Sequence, residues 1–368
     1  MHADNFFSPS FGNRPTYLAG RGDIISEFKT ALQEKPGSRS RSVLFLGQRG
    51  MGKTVLLWEL ADHAKKLGFV VASPTVVTDA LLERIVEKVQ EDGERVLKAK
   101  STHIAGGNVG ALGFSIGLQF SRKVQETKSS QYKLTQLARL LTSKGKGLLI
   151  LVDEVQANSQ SLRQLVISYQ ELMGEGLNVA IALAGLPTSV STVLNDKVLT
   201  FLNRAEKTAL VPLKFSEVDA YFDVAFKETN VAVSASQRKL LAERTQGSPY
   251  LMQLIGHNVV KNATATVNDE CLQHSIDVAE KDFQNDVCGT TIAALSGRDV
   301  EFLQAMVKDA QTSKLSDIAQ RLGVSSDYAQ KYRKRLINAG IIQPANRGFV
   351  KFSVPLLKDY LKNEMELV

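Results

Sequence analysis

A glycine-rich segment at 47–54, GQRGMGKT, has the residue types and the spacing that hold phosphate groups in proteins. It satisfies the pattern G-x-x-x-x-G-K-[ST], in which glycines let backbone N–H groups curl around phosphate oxygens. Lys53 would neutralise the β- and γ-phosphates of ATP, and the Thr54 hydroxyl would bind Mg²⁺. The candidate contacts in this segment are Gly47, Gln48, Arg49, Gly50, Met51, Gly52, Lys53 and Thr54. The alternative is a plain glycine turn with a surface lysine.

Two adjacent acids supply the second part of the same chemistry. The apolar run in LLILVDEVQ (148–156) predicts a buried strand that ends at Asp153 and Glu154. At the carboxyl end of a parallel sheet, Asp153 would hold Mg²⁺ directly or through water. Glu154 would then polarise the attacking water. Strands often end in surface acids, so the functional interpretation depends on the glycine-rich segment earlier in the chain.

Short β-branched runs alternate with helical patterns from about residue 43 to 211, which predicts a parallel sheet covered by helices, an α/β fold. The glycine segment lies between the first of these strands and a helix, whose N-terminus favours phosphate. A glycine-rich stretch at 104–120 interrupts the pattern and predicts either a hairpin insertion or a long loop. KPGSRSRS (35–42) reads as a short basic loop. The predicted strands are SVLFLG (42–47), FVVAS (69–73), LLILV (148–152), VAIALA (179–184) and TALVPL (208–213).

Beyond the last predicted strand the pattern becomes helical. Three segments, each with a serine as predicted N-cap, read as helices at 216–230, 234–247 and 248–262. Further on, three helical patterns and two short strands follow in the order of a winged helix-turn-helix. The predicted domains are therefore an α/β core at 1–213, a helical domain at 214–292 and a winged-helix domain at 293–368.

Composition excludes several classes of protein. The chain has only two cysteines, and its five histidines include no HExxH pair, so a disulfide framework and a zinc site are both disfavoured. The N-terminus lacks the basic-then-apolar order of a secretion signal, and no apolar run approaches the roughly 18–20 residues of a membrane span. We therefore expect a cytoplasmic protein with no membrane partner. The net charge of +7 is compatible with a polyanionic partner.

With two further segments the chain resembles the AAA+ ATPases of the archaeal-ATPase, replication-initiator and STAND group. LAGRGDIISEF (18–28) is similar to a box that packs against adenine in that group, which implies nucleotide contacts for Gly20 and Arg21. TQGSPYLMQLIG (245–256) is similar to a lid segment that approaches the nucleotide, which implies a contact for Pro249. The resemblance implies a five-stranded parallel P-loop core, a helical lid domain and an appended winged helix. The alternative for either segment is an ordinary helix start.

The resemblance also implies something about turnover and assembly. No arginine lies at 247–250, and the strand at 179–184 ends in glycine, leucine and proline rather than a polar sensor residue, although Thr188 or Ser189 could substitute. Both departures imply slow or partner-dependent hydrolysis. Arg204 lies where the group places an arginine finger, which would act on a neighbouring subunit of a homo-oligomer. The alternative is a solvated or salt-bridged arginine.

The C-terminal residues carry a moderate excess of positive charge. Residues 296–368 contain 12 lysines and arginines against 8 acids, a net +4. In a winged helix, this charge would contact the phosphates of duplex DNA and a few base edges. Tyr328 and Tyr332 lie one turn apart on the same predicted helix and would pack beneath it or touch the DNA backbone. The alternative is a solvated helix face or a protein-interaction surface. The candidate DNA contacts are Lys331, Arg333, Lys334, Arg335, Arg347 and Lys351.

The sequence thus predicts a Mg²⁺-dependent ATPase, converting ATP to ADP and phosphate, whose nucleotide state is coupled to DNA binding. Glu154, Lys53 and Arg204 are the candidate catalytic residues, with Thr54 and Asp153 on the metal. One alternative is a slowly hydrolysing STAND-like switch or scaffold with a protein partner. Another is a DNA-binding regulator whose nucleotide site only tunes affinity.

Overall fold

A computed structural model describes residues 6–10, 13–73, 79–98, 114–116, 119–120, 122–156, 159–195, 199–263 and 266–366. Its contacts divide the chain into two compact units. The core unit comprises Gly22–Leu46 and Lys53–Ala209, and the helical unit comprises Met1–Arg21, Gly47–Gly52 and Leu210–Val368. Among the described residues, no helix is both long enough and apolar enough to cross a bilayer.

The core unit is built on a five-stranded parallel sheet, as the alternating pattern predicts. The interior strand GLLILV is buried at all six positions, which explains why it is apolar on both faces. Parallel registers such as Leu44 opposite Leu183 and Ile150 opposite Ile181 fix the neighbours. In chain order the strands are β1 (Ser42–Leu46), β2 (Phe69–Ala72), β5 (Gly147–Val152), β6 (Val179–Gly185) and β7 (Glu206–Ala209). Across the sheet the order is β2-β5-β6-β1-β7.

Helices pack on this sheet through apolar stripes. In the helix that follows β2, Leu81, Ile85 and Val89 recur every fourth residue and are fully buried. Arg41 lies in the predicted basic loop but is 1% exposed, because it donates to the carbonyls of Ala31 and Leu32. The helices are α1 (Gly22–Gln33), α2 (Lys53–Lys66), α3 (Leu81–Lys98), α4 (Arg122–Thr127), α5 (Ser130–Ser143), α6 (Gln160–Gly174) and α7 (Pro187–Leu194), with 3-10 turns at Arg39–Arg41 and Thr200–Arg204.

The glycine-rich stretch at 104–120 lies mostly outside the described residues. Within it, β3 (Phe114–Ile116) and β4 (Gln119–Phe120) pair antiparallel as a two-stranded sheet. This pairing agrees with the predicted hairpin.

In the helical unit, two of the three predicted serine caps are confirmed. Ser234 and Ser248 accept backbone N–H bonds from Gln237 and Leu251. The prediction for Ser216 was wrong, because the first helix begins one residue earlier and is capped by a Glu217 carboxylate that accepts the Lys214 N–H at 2.7 Å. The helices are α8 (Phe215–Glu228), α9 (Ala235–Arg244), α10 (Pro249–Asn262), α11 (Asp269–Phe283) and α12 (Thr290–Ala293), with a π-helix at Gln284–Gly289.

The C-terminal residues contain the predicted three helices and two strands, together with a short strand and a last helix that the pattern did not reveal. The three strands form an antiparallel sheet in which the last strand in sequence lies in the middle. One hydrophobic cluster runs from Phe222 and Phe283 to Phe302 and Leu357, so α8–α11 share a core with these elements. They are α13 (Gly297–Val307), β8 (Ser313–Lys314), α14 (Leu315–Leu322), α15 (Ser326–Asn338), β9 (Ile342–Pro344), β10 (Phe349–Phe352) and α16 (Leu357–Glu366).

Candidate functional site

The glycine-rich segment at 47–54, called the P-loop from here on, connects β1 to α2. Gly50 and Gly52 have φ angles of +77° and +79°, a left-handed conformation that glycine adopts without steric cost. Met51 is 3% exposed, and its N–H donates to the Gln48 carbonyl at 3.3 Å. Alternating left-handed residues make successive N–H groups converge, as an anion-binding loop requires.

The C-terminal end of the P-loop and the end of β5 meet within the core unit. The Thr54 hydroxyl, in the first turn of α2, donates a hydrogen bond to a carboxylate oxygen of Asp153. The other oxygen accepts the Glu154 N–H at 2.8 Å. A hydroxyl and a carboxylate side by side are hard oxygen donors of the kind that Mg²⁺ takes alongside water and phosphate. The two side chains that the sequence predicts as metal ligands are therefore adjacent.

Glu154 has an unusual backbone. Its φ angle is +51°, which is uncommon for a residue with a side chain. The next residue is fixed to the sheet, because the Val155 N–H donates to the Ala184 carbonyl at 2.9 Å. The Glu154 side chain is exposed. A strained, exposed acid at the carboxyl end of a sheet is typical of a functional position.

The remaining P-loop side chains differ in their surroundings. Lys53 is the first residue of α2 and is half-buried, whereas Arg49 is exposed. Gln48 donates a side-chain hydrogen bond to the carbonyl of Ala339, just after α15. The P-loop therefore contacts the end of the helix that carries the predicted DNA-binding residues.

The two segments that resemble AAA+ sequences, the adenine box (18–28) and the lid box (245–256), both contact residues 211–217 within the helical unit. Arg21 is 6% exposed and donates to the Val211 carbonyl at 2.9 Å, and burial lowers its pKa although Glu217 opposes the shift. A Cβ on Gly20 would lie 2.7 Å from Leu213 and from Glu217.

The lid box reaches the same place from the other side. A Cβ on Gly247 would lie 2.5 Å from the Leu213 carbonyl, and the Gly247 carbonyl accepts the Leu213 N–H at 2.8 Å. Both glycines have positive φ, so no other residue fits comfortably. Gly20, Arg21 and the lid box are therefore brought together around residues 211–217.

Helix α10 begins beside the P-loop. Its first residue is Pro249, whose Cβ lies 4.0 Å from the place where a Cβ on Gly52 would stand. The Tyr250 N–H donates to the Gly50 carbonyl at 3.2 Å. Sequence reasoning identified Pro249 but missed Tyr250, since a tyrosine after a Pro helix start carries no signal of its own.

Arg204 is the last residue of the 3-10 turn before β7. Its side chain is exposed, and it forms no ion pair within the part of the chain that the structure describes. An exposed arginine without a local carboxylate is available to a second molecule. Its predicted role as an arginine finger stays a prediction.

The predicted DNA-binding residues fall into distinct environments. Lys331, Lys334, Arg347 and Lys351 are exposed. Arg335 instead donates to Asp299 at 2.7 Å, a carboxylate whose side chain is 5% exposed, and its guanidinium lies 4.7 Å from the Tyr332 ring centroid.

Arg333 differs from both groups. Its side chain is half-buried, and its Nε has no hydrogen-bond partner within the described residues. Among the exposed positive residues of α15, Lys331 and Lys334 therefore form no ion pair in the part of the chain that the structure describes, whereas Arg335 is exposed but paired.

Comparison with protein families matches two parts of the chain. Residues 17–182 match the AAA ATPase domain, and residues 285–361 match a domain of unknown function (DUF8462). No curated protein matches the chain significantly.

Similar folds occur among solved structures. The Walker-type ATPase paby2304 of Pyrococcus abyssi gives a TM-score of 0.68 at 16% identity, covering 97% of this chain and 99% of that one. The Aeropyrum pernix ORC2 protein in its ADP form gives 0.53 at 14% identity, covering 98% and 97%. The same protein in its ADPNP-ADP complexes gives 0.50 at 14% identity, covering 97% and 98%. The family match assigns residues 17–182 to the AAA ATPase domain, and the likeness to these solved structures shows that the chain shares their fold.

Proposed function

We propose that this protein binds ATP with Mg²⁺ at the P-loop and hydrolyses it to ADP and phosphate. The observation that carries the proposal is the contact between Thr54 and Asp153. It joins the last residue of the phosphate-binding motif to the acidic end of β5, where the sequence places the metal. The AAA ATPase family match over 17–182 supports the same conclusion.

The division of labour follows from the chemistry of each group. Backbone N–H groups of the P-loop and the Lys53 ammonium bind the β- and γ-phosphates. Thr54 and Asp153 would hold Mg²⁺, which neutralises charge on the phosphate oxygens. Glu154 accepts a proton from water as the water oxygen attacks the γ-phosphorus. The bond from that phosphorus to the bridging oxygen breaks, and ADP leaves with both bonding electrons.

We also propose that residues of the adenine box and the lid box contact the nucleotide. Gly20, Arg21 and Pro249 contact the nucleotide, and their convergence around residues 211–217 supports this role. Arg204 acts on the nucleotide of a second copy of the chain, since its exposed guanidinium forms no ion pair in the described regions. Hydrolysis then requires a homo-oligomer.

The C-terminal elements are proposed to be a winged helix that binds duplex DNA through Lys331, Arg333, Lys334, Arg335, Arg347 and Lys351, of which Arg335 also pairs with Asp299. The order of helices α13–α15 and the antiparallel strands supports this interpretation. The bond from Gln48 to the Ala339 carbonyl links the P-loop to α15, which supports coupling of nucleotide state to DNA binding. We keep the three-domain division at 1–213, 214–292 and 293–368 as part of this proposal, with a cytoplasmic location.

A slow switch is the second candidate function. The start of α10 offers Ser248, Pro249 and Tyr250 where an arginine would stabilise charge on the γ-phosphate. Without that arginine, the protein holds nucleotide for long periods and its C-terminal elements contact a protein. Steady-state ATP hydrolysis with and without duplex DNA separates the candidates, because stimulation by DNA contradicts the switch.

Nucleotide binding itself is tested by calorimetric titration with Mg²⁺–ATP. Lys53→Ala removes a charge-assisted hydrogen bond and is expected to weaken affinity by roughly 10- to 100-fold. Lys65→Ala is the matched control, because Lys65 is an exposed lysine of the same helix. Equal affinity of the Lys53→Ala and wild-type proteins contradicts the site.

A further inference from the structure

We propose that Tyr250 is a positioning residue for the P-loop, and that its contact with Asp286 connects the P-loop to the π-helix before the C-terminal elements. The inference rests on the proposed nucleotide site and assigns to that site a built-in route of regulation. Neither residue belongs to the phosphate-binding motif or to the proposed catalytic set.

The first contact orients the tip of the P-loop. The Tyr250 N–H binds the Gly50 carbonyl, and a Cβ on Gly50 would lie 3.1 Å from the Tyr250 Cβ. The Gly50 carbonyl and the Met51 N–H belong to one trans peptide group, so they point in opposite directions. Holding the carbonyl towards Tyr250 therefore turns the Met51 N–H away from α10. The Met51 N–H donates a long hydrogen bond of 3.3 Å to the Gln48 carbonyl. A phosphate oxygen can replace that carbonyl as the acceptor.

The second contact holds Tyr250 itself. Its ring packs against Phe283 with centroids 6.1 Å apart, and its hydroxyl donates to Asp286 Oδ2 at 2.7 Å. Burial, together with the neighbouring carboxylates of Asp286 and Asp282, raises the pKa of Tyr250. The hydroxyl therefore stays protonated and remains a donor. Ring packing and a charge-assisted hydrogen bond restrict the side chain to one orientation.

Asp286 lies within an element that is itself unusual. The π-helix Gln284–Gly289 follows α11 directly, and π turns are frequent at functional sites. Its far end packs against the C-terminal residues. The Cys288 thiol donates to the Pro355 carbonyl at 3.5 Å, and a Cβ on Gly289 would lie 3.5 Å from the Tyr360 hydroxyl.

Two routes thus lead from the P-loop to the C-terminal elements. One runs from Gly50 through Tyr250 and Asp286 to the π-helix. The other is the direct bond from Gln48 to the Ala339 carbonyl at the end of α15. A change of P-loop conformation on phosphate binding acts on both contacts together. The contact between Tyr250 and Asp286 can be removed by substitutions outside the P-loop, whereas the direct bond involves Gln48, which is a P-loop residue.

Affinity provides the first test. Tyr250→Phe keeps the ring and the backbone N–H but removes the hydroxyl, and Asp286→Ala removes its acceptor. Each change is expected to weaken Mg²⁺–ADP binding roughly three- to tenfold. The double variant is expected to bind Mg²⁺–ADP about as tightly as the weaker-binding single variant, because both changes remove the same hydrogen bond. Asp286→Asn keeps an acceptor oxygen without the charge and is expected to lose less affinity than Asp286→Ala, and Asp282→Ala controls for the loss of a nearby charge.

A conformational readout provides the second test. In a Cys271→Ser background, Cys288 is the only thiol, and it is fully buried in the π-helix. Its reaction rate with a disulfide reagent reports opening of this element. Addition of ADP is expected to change the rate by about threefold or more, and Tyr250→Phe is expected to abolish that response.

The two proposals fail in distinguishable ways. If the wild-type protein binds no nucleotide, the proposed function is contradicted before any variant is made. If the wild type binds ADP but Tyr250→Phe has the same affinity, Tyr250 does not position the P-loop. An unaltered thiol response in Tyr250→Phe overturns the connection to the π-helix.

Discussion

The Thr54 hydroxyl, in the first turn of α2, donates a hydrogen bond to the Asp153 carboxylate at the end of β5. Strand β6 separates β5 from β1 in the sheet, so this contact spans an intervening strand. It brings together the two oxygen ligands expected for Mg²⁺.

Removal of that hydroxyl tests the metal site. Thr54→Val preserves the shape of the side chain but loses the oxygen, and we expect Mg²⁺-dependent turnover to fall on the order of 100-fold. Thr54→Ser keeps the hydroxyl and is expected to remain close to the wild type. Rates measured over a range of Mg²⁺ concentrations check this, and a Thr54→Val protein with normal turnover contradicts the assignment.

Glu154 is expected to act in the chemical step alone. Glu154→Gln removes the proton acceptor at nearly constant shape, so ATP binding is retained while turnover falls by roughly 100-fold or more. Equilibrium binding of ATP and single-turnover hydrolysis measure the two effects separately. Glu171→Gln, an exposed acid on α6, is the control. Unchanged single-turnover rates would exclude Glu154 from the mechanism.

DNA binding by α15 is expected to depend on salt. Log affinity falls as log salt concentration rises, and each phosphate contact that is lost makes this negative slope shallower by about 0.9. We therefore expect Lys331→Ala and Lys334→Ala to weaken duplex binding and flatten this slope, as measured by fluorescence anisotropy. Lys362→Ala, on α16, removes the same charge elsewhere and serves as the control. A salt-independent affinity in the wild type favours a protein partner.

Arg335 is expected to behave differently from its lysine neighbours. It pairs with the buried Asp299 carboxylate, which Arg335→Ala leaves without its charge partner. Because Arg335 itself is 45% exposed, we expect a loss of about 1–2 kcal/mol rather than the larger cost of breaking a fully buried pair. Urea denaturation measures this, with Lys334→Ala as the control. Equal unfolding midpoints for the two variants would show that the pair contributes nothing.

Acid should weaken the ion pair between Asp309 and Arg321. Hydrogen bonds from Arg321 to both carboxylate oxygens at 2.6 Å lower the pKa of Asp309. A lowered folded-state pKa contributes stability that is present above the unfolded value of about 3.9 and is lost as pH falls through the folded value. Asp309→Asn is therefore expected to unfold more easily than the wild type at pH 7.

The same comparison at low pH supplies the control. Once Asp309 is protonated in both states, the wild type and Asp309→Asn are expected to have nearly equal urea midpoints. A difference that persists undiminished below about pH 3 indicates a cause other than this carboxylate.

Local sequence patterns predicted most of the secondary structure. A strand that is buried on both faces is continuously apolar, and a helix that is buried on one face repeats apolar residues at helical spacing. GLLILV, buried throughout, is an interior strand of the sheet, and Leu81, Ile85 and Val89 mark one face of a helix. Helix starts were less secure. Ser234 and Ser248 cap their helices, but Ser216 does not, because Glu217 caps through its own carboxylate and the chain begins the helix earlier.

Long-range contacts escaped local patterns. The charge cluster on α15 predicted DNA contact for Arg335, but nothing near it in sequence shows that Asp299 already holds its guanidinium. Arg41 reads as part of a basic loop, yet it is buried and bonded to carbonyls of α1. A periodicity argument cannot find such partners, because it records which face is apolar and not what lies opposite.

The sequence by itself determined the P-loop, the acids at the end of β5 and the alternation of strands and helices. Each is written in residues adjacent along the chain, where glycine freedom, a helix N-terminus and apolar periodicity act locally. Only the tertiary structure decided the strand order, the contact of Thr54 with Asp153 and the path from Gly50 through Tyr250 to Asp286. These join residues far apart in sequence, and their pairing is selected by packing of the whole core, which no local pattern encodes.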